Sequence, residues 1–413
     1  MSLAWISLIA LVAAITLSMV TQVNVGVVAL SLAWIVGVYL GGMPLGTVVG
    51  SFPIQLFLTL VGVTLLFGMA AGNGTLGRLA ARAVHLCRGN AGLIPVMFFL
   101  VAAILSSSGP GNISTTAILV PMGMAVGARA RIPPFLMALM VGNGAQAGAL
   151  SPFAPTGVIV NGIMARIGFA GVEWSTYLNN LLAHVVVTFV AYFLFGGLAL
   201  FRRGSSGVDE SEAVTVEPFT PMHWLTLAVL SAMVLGVVFW DLNVGMASLT
   251  AAAFLSLAGA ADEREAVRKM PWGVVLLVCG VTVLIGVLEK TQGIDLFSDL
   301  LARISSPATV TGIVALVTGV VSVYSSTSGV VLPAFLPTVP GLVERLGGGD
   351  ALGIASSMMV GGHLVDLSPL STIGALCIAA IPAGEDPRKL FNQLMAWGLS
   401  MTVVGALICW ALF

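Results

Sequence analysis

The sequence predicts an all-α polytopic membrane protein made of two inverted repeats, each with five spans, one re-entrant hairpin and one broken helix. Three observations lead there. Of 413 residues, 58% are hydrophobic and only 8% charged, where soluble domains carry about 25% charge. The charges cluster, leaving apolar runs near the ~20 residues that a spanning helix needs. Segments of the first half also recur in the second at a nearly constant offset. A mean hydropathy of +1.07 excludes a water-soluble surface.

Hydropathy sets spans at 3–21, 23–40, 52–72, 134–165, 177–201, 222–240, 243–261, 272–288, 350–382 and 391–412. The first stretch lacks a basic n-region and an A-x-A cleavage site, so it reads as a span rather than a signal peptide. Two regions, 91–128 and 307–346, each hold a pair of apolar stretches around a tip rich in Ser, Gly and Asn or Thr. At about 13–18 residues these stretches are short for crossing, which predicts re-entrant hairpins. Residues 202–221 (RRGSSGVDESEAVTVEPFTP) read as a flexible cytoplasmic linker between a first repeat, 1–201, and a second, 222–413.

The repeat is visible in three places. LSPFAPTG (Leu150–Gly157) recurs as LSPLSTIG (Leu367–Gly374), offset by 217. GNISTTAILVP (Gly111–Pro121) aligns with TSGVVLPAFLP (Thr327–Pro337) at 216, and LLFGMAAGNG (Leu65–Gly74) with VLIGVLEKTQ (Val283–Gln292) at 218. Constant order and offset favour duplication over chance. Five crossings per half is an odd number, which forces the second half to run inverted. Inverted repeats around a midplane site characterise many secondary transporters. Basic residues agree. With Arg202 and Arg203 cytoplasmic, the same side gathers Arg78, Arg82, Arg88, Arg129, Arg131, Arg264, Arg268, Lys269, Arg388 and Lys389. The other side holds only Arg166, Lys290, Arg303 and Arg345. The positive-inside rule then puts both termini outside.

Hairpin tips and broken spans are where chemistry is expected. SSSGPGNIST (Ser106–Thr115) and YSSTSG (Tyr324–Gly329) bring hydroxyls, an amide and glycines to membrane depth. Irregular backbone survives there only inside protein or against a wet cavity. Helix N-termini at such tips suit an anion; the plainer alternative is a small-residue packing interface. Ser151, Pro152 and Pro155, and Ser368 and Pro369, interrupt apolar helices at matched positions, where freed carbonyls can hold a cation. A simple proline kink is the alternative. Asp366 is the lone carboxylate inside a predicted span, at a cost of at least ~2.5 kcal/mol, so a functional role is the default. Beside the second break it can ligate Na⁺ or carry a proton; the competing role is a helix cap. His363, three residues earlier, can pair with Asp366 or be a satisfied interior histidine.

Other chemistries find little support. No basic stripe exists to neutralise a nucleic acid. Cys87, Cys279, Cys377 and Cys409 have no C-x-x-C spacing, so buried free thiols are expected rather than zinc or disulfides. Gly72, Gly74 and Gly77 spell G-x-G-x-x-G but follow a membrane span, with no βαβ unit. There is no P-loop and no H-E-x-x-H. A membrane enzyme built on His363 and Asp366 would be a thin active site, and a channel would explain the inverted repeat less well than alternating access. No cofactor is expected.

Residues 1–168, with SSSGPGNISTTAILVPMG and GNGAQAGALSPFAPTGVIVNG, resemble the malonate carrier (MatC-type dicarboxylate carrier) family. The whole chain resembles the wider ion transporter superfamily that includes the divalent anion/sodium symporters. That resemblance implies elevator-type homodimers, in which hairpin and broken helix move as one block against the other spans. It also implies a multi-pass protein of the bacterial inner membrane. Those symporters carry a Ser-Asn-Thr signature at each tip. Here the triplets fall on Gly111, Asn112 and Ile113, and on Thr327, Ser328 and Gly329, keeping only Asn112; Ser108, Ser325 and Ser326 can substitute.

The expectation is a secondary active carrier of a small dicarboxylate, malonate or a C4 acid, coupled to Na⁺ or H⁺ by symport. Substrate contacts are expected from Ser108, Gly111, Asn112, Ser326, Thr327, Ser328, Pro152, Thr156, Pro369 and Thr372. Cation contacts are expected from Asn112, Ser108, Ser151, Asp366, Ser368 and Ser328. Partners would be the dicarboxylate, the cation, membrane lipid and a second copy of the chain, with no nucleic acid. The rival readings are the membrane subunit of a binding-protein-dependent carboxylate transporter and a carrier of another anion in the same superfamily.

Overall fold

Apolar runs this long form helices because, without water, each backbone N–H and C=O must be bonded within its own segment. The computed structural model describes residues 2–20, 23–85, 90–202, 217–240, 242–382 and 384–413, and every regular element among them is helical. Six of these helices are long and apolar enough to cross a membrane. Cys87, Arg88, Arg203 and most of the 202–221 linker lie outside the described residues.

One order of elements is run through twice. The first half has helices at Leu3–Val20, Val25–Trp34 with its continuation Ile35–Leu40, Leu45–Val49, Ile54–Gly72 and Thr75–His85. The first hairpin (Leu93–Ser107, Gly111–Arg129), the first broken helix (Pro134–Ala147, Pro155–Arg166) and Glu173–Leu194 with Gly197–Arg202 follow. The second half repeats this as Pro221–Trp240, Val244–Leu257, Glu263–Lys269, Trp272–Lys290 and Gly293–Arg303. Its hairpin runs Val310–Tyr324 and Thr327–Arg345, its broken helix Ala351–Leu364 and Thr372–Ala379, and it closes on Pro387–Leu412.

Two details differ from the sequence expectation. The second arm of the first hairpin is 19 residues long, because the polar tip residues from Gly111 onward are already helical. Thr75–His85 and Gly293–Arg303 are additional amphipathic helices. Their mixed composition hides them from a hydropathy scan, and it suits the membrane surface. The first is tied down from the end of the linker: Arg78 pairs with Glu217, and the Arg82 guanidinium lies 3.8 Å from the Phe219 ring centre.

The halves interlock by exchanging helices. Val25–Trp34 packs on Trp272–Lys290, and its counterpart Val244–Leu257 packs on Ile54–Gly72. Both crossings are made by glycines. A Cβ on Gly26 would stand 2.1 Å from the Leu276 carbonyl oxygen, and one on Gly62 would stand 2.5 Å from that of Gly245. Both incoming helices start at an asparagine cap: Asn24 accepts from the Gly26 amide at 2.9 Å, and Asn243 from that of Met246 at 3.1 Å. Such a cap contributes ~1 kcal/mol. Against this frame, Leu93–Ser107 packs on Pro134–Ala147, and Val310–Tyr324 on Ala351–Leu364.

Candidate functional site

Each broken helix opens at a serine. Ser151 Oγ donates to the Ser107 carbonyl at 2.7 Å, and Ser368 Oγ to the Val323 carbonyl at 3.4 Å. The same hydroxyls accept the amides of Phe153 and Leu370, both at 3.3 Å. Each break is therefore tied to the hairpin tip of its own half. Asn180, fully buried on Glu173–Leu194, donates at 2.9 Å to the Gln146 carbonyl at the first break, which also accepts the Ala149 amide at 3.1 Å. The restarting helix of the second half is capped by Ser371, whose Oγ accepts from the Gly374 amide at 3.3 Å.

Between the second tip and the second break lies a cavity of ≈ 240 Å³. Tyr324, Ser325, Ser326, Thr327 and Ser328 line it from the second hairpin, and Asp366, Leu370, Ser371, Thr372 and Ile373 from the second broken helix. Asn112 and Ile113 enter from the first hairpin, and Asn24 and Leu277 from the interlocked frame. No Lys or Arg is among the lining residues.

Asp366 is the electrostatic centre of this wall. Its Oδ1 accepts from Thr327 Oγ1 at 2.5 Å and its Oδ2 from Gln146 Nε2 at 2.8 Å. Gln146 Oε1 in turn accepts from Asn112 Nδ2 at 2.7 Å. The chain Thr327–Asp366–Gln146–Asn112 thus links the two hairpin tips through one carboxylate. The capping alternative for Asp366 fails, because its carboxylate takes side-chain donors while Ser371 caps the helix. Of the two alternatives for His363, the side-chain pairing with Asp366 is not made. Ala351–Leu364 ends between the two residues, which are joined through backbone, the Asp366 amide donating to the His363 carbonyl at 3.2 Å, while His363 keeps its Nδ1 2.8 Å from the Met359 carbonyl.

Of the residues expected from sequence, Asn112, Ser325, Ser326, Thr327, Ser328, Asp366 and Thr372 meet at this cavity. The others lie elsewhere. Ser108 donates to the Ile104 carbonyl at 2.6 Å and faces an apolar cleft with Leu79, Arg82 and Val101. Gly111 (φ 73°) packs the first tip on Pro155, where a Cβ would come within 2.8 Å of the proline ring. Pro152 lines a second cavity of ≈ 570 Å³ with Thr59, Phe153, Asn161, Glu173, Trp174 and Asn243. Ser151 and Ser368 hold the breaks, while Thr156 and Pro369 are buried behind them. Gln146, Asn24 and Ser371 were missed. Their signal was an amide or hydroxyl inside or beside an apolar run, which membrane burial makes costly unless it is bonded.

The comparisons agree with this fold. The solved structure of the Alcanivorax borkumensis YdaH transporter matches with a TM-score of 0.57 at 16% identity, covering 88% of this chain and 87% of that one. An uncharacterised transporter of Mycobacterium bovis is 24% identical over 337 residues, 78% of this chain and 77% of its own length. A Mycobacterium tuberculosis transporter matches to the same extent. The chain is therefore a multi-pass membrane transporter and not an enzyme. Residues 1–149 match the family described as the dicarboxylate carrier protein MatC N-terminus, so the resemblance read from the sequence is borne out over that stretch.

Proposed function

We propose that the chain is a secondary active carrier of a small dicarboxylate, malonate or a C4 acid, driven by a co-transported cation. The observation that carries this reading is a cavity with hydroxyls, amides and one carboxylate but no cationic side chain. A dianion entering such a site needs charge compensation, and a cation held against Asp366 supplies it. The volume of ≈ 240 Å³ is roughly eight liquid-water volumes, enough for a three- or four-carbon dianion with an ion beside it. Na⁺ suits the oxygen donors of Thr327, Ser328 and Asp366; a proton on Asp366 is the other means of coupling.

The exchanged helix pairs and the doubled element order support reading the halves, 1–201 and 222–413, as inverted repeats. Each hairpin, tied by serine to its own broken helix, then moves as one block against the interlocked frame, which also forms the contact of a homodimer. The setting is a bacterial cell membrane with both termini outside. Proteoliposome uptake of labelled malonate and succinate, with and without Na⁺ and proton gradients, tests this reading. The purified chain alone should take up one of the two acids saturably, faster under an inward cation gradient. Uptake that appears only after a separate binding protein is added, or in neither acid, would reject it.

A further inference from the structure

Gln146 ends the first half of the first broken helix and has no exposed surface. It stands behind the cavity rather than in its lining. Its backbone is fixed by the Asn180 bond, and its side chain spans the gap between Asn112 and Asp366 at 2.7 and 2.8 Å. The direction of this chain is set at the carboxylate. An ionised carboxylate only accepts, so Gln146 must turn its NH₂ to Asp366. Its oxygen is then left for Asn112, which must offer its own NH₂. Asn112 Oδ1 is thereby turned to the Ile113 amide, 3.0 Å away.

Resting on the cation-coupled reading above, the geometry points to Gln146 as the positioning residue that links cation binding at Asp366 to the amide of Asn112. A cation bound at Asp366 competes with Gln146 for the same carboxylate, which loosens the relay and changes how Asn112 meets the substrate. Linkage between two ligands typically amounts to roughly 5–150-fold in affinity, and here it would run through one side chain. The repeat counterpart of Gln146 at the 217 offset is His363, which bonds its own helix. The relay therefore exists in one half only.

Few titratable groups face the chain. They are Asp366 itself, Tyr324 on the cavity wall, Tyr177 bonded to Ser107, and the buried His363 and His184, held to the Met359 and Asn180 carbonyls. Cys377, Cys409 and Tyr192 are buried on neighbouring helices, and Glu173, Arg129, Arg388 and Lys389 lie at helix ends.

Two substitutions test the relay by uptake at several cation concentrations. Gln146→Met keeps the length and removes both bonds. It should lower KM for the dicarboxylate at low cation about tenfold, towards the high-cation value, leave kcat near wild type, and so flatten the cation dependence of KM. Gln146→Glu mimics the amide only when the introduced carboxyl is protonated, because two adjacent carboxylates resist joint ionisation. Measured against wild type at the same pH, its uptake should approach parity near about pH 5.5 and collapse near about pH 8. Wild-type KM and cation dependence in Gln146→Met, or a wild-type pH profile in Gln146→Glu, would overturn the relay. Should Gln146→Met fail to fold, Gln146→Glu decides alone. If wild type moves no dicarboxylate, the functional reading falls instead. The cation-induced rise in Tm of purified protein then reads the relay: Gln146→Met, which frees the carboxylate for the cation, should enlarge that rise, and an unchanged rise would overturn the relay.

Discussion

At Asp366 a single proton or ion separates three roles, and one isosteric change distinguishes them. Asp366→Asn keeps the shape and removes the charge. If Asp366 draws Na⁺, the variant should lose substrate affinity and most of its dependence on Na⁺. If it carries the proton instead, the variant imitates the protonated state, so gradient-driven accumulation fails while counterflow exchange survives. Unchanged ion dependence together with unchanged accumulation would reduce Asp366 to a structural residue. Two donors at 2.5 and 2.8 Å argue for a held carboxylate rather than a spare one. Asp366 is legible in the sequence because a lone carboxylate within an apolar run has few structural excuses. Gln146 is not, since an uncharged amide barely lowers the hydropathy of the run around it. Which donors it meets depends on a partner 220 residues away.

Elements that repeat are easier to read than elements that do not. The hairpins and broken helices stand out because their polar interruptions recur at one offset, and the structure brings most of the second hairpin's polar tip to the cavity. Ser108, Ser151 and Ser368 show the limit of that signal, since a repeated hydroxyl can equally brace backbone, as the bonds to Ile104, Ser107 and Val323 do. The frame is harder to foresee. Its crossings depend on glycines, and glycine is too common in this chain, at 49 residues, to single out the ones in contact. Gly280 is one of them: a Cβ there would meet the Gly26 carbonyl oxygen at 2.1 Å, and that neighbour is backbone, which cannot rotate away. Gly280→Ala should therefore destabilise the protein by about 1–3 kcal/mol, seen as a lower Tm in detergent. Gly162 has nothing within 4 Å of a Cβ, so Gly162→Ala is the matched control and should be near neutral. Equal Tm values for the two variants would mean that the crossing is looser than drawn.

Over the whole molecule, the two cavities occupy related places in the two halves. The one at Asp366 is lined by the cap Asn24 and by the residues after the second break; the other is lined by the cap Asn243 and by Pro152 and Phe153 after the first. If both termini lie outside, as proposed, the chain would reach the cytoplasm after Leu3–Val20, and Asn24 and the Asp366 cavity would lie on that side. It would return outside after Pro221–Trp240, and Asn243 and the Trp174 cavity would lie there. Single cysteines in a Cys-less background test this arrangement with a membrane-impermeant thiol reagent. Replacements at Trp174 and Gly348 should react from outside, and those at Leu370 and linker residue Ser206 from inside. Labelling Ser206 and Gly348 from one side would defeat the topology. Leu370 also carries the forecast for movement, because it is half exposed on the block that holds Asp366. Under conditions that turn the carrier over, its cysteine should become reactive from outside as well, and saturating dicarboxylate should slow that reaction. A Leu370 cysteine that reacts from the cytoplasm alone, whatever the gradient or substrate, would mean that the block does not travel.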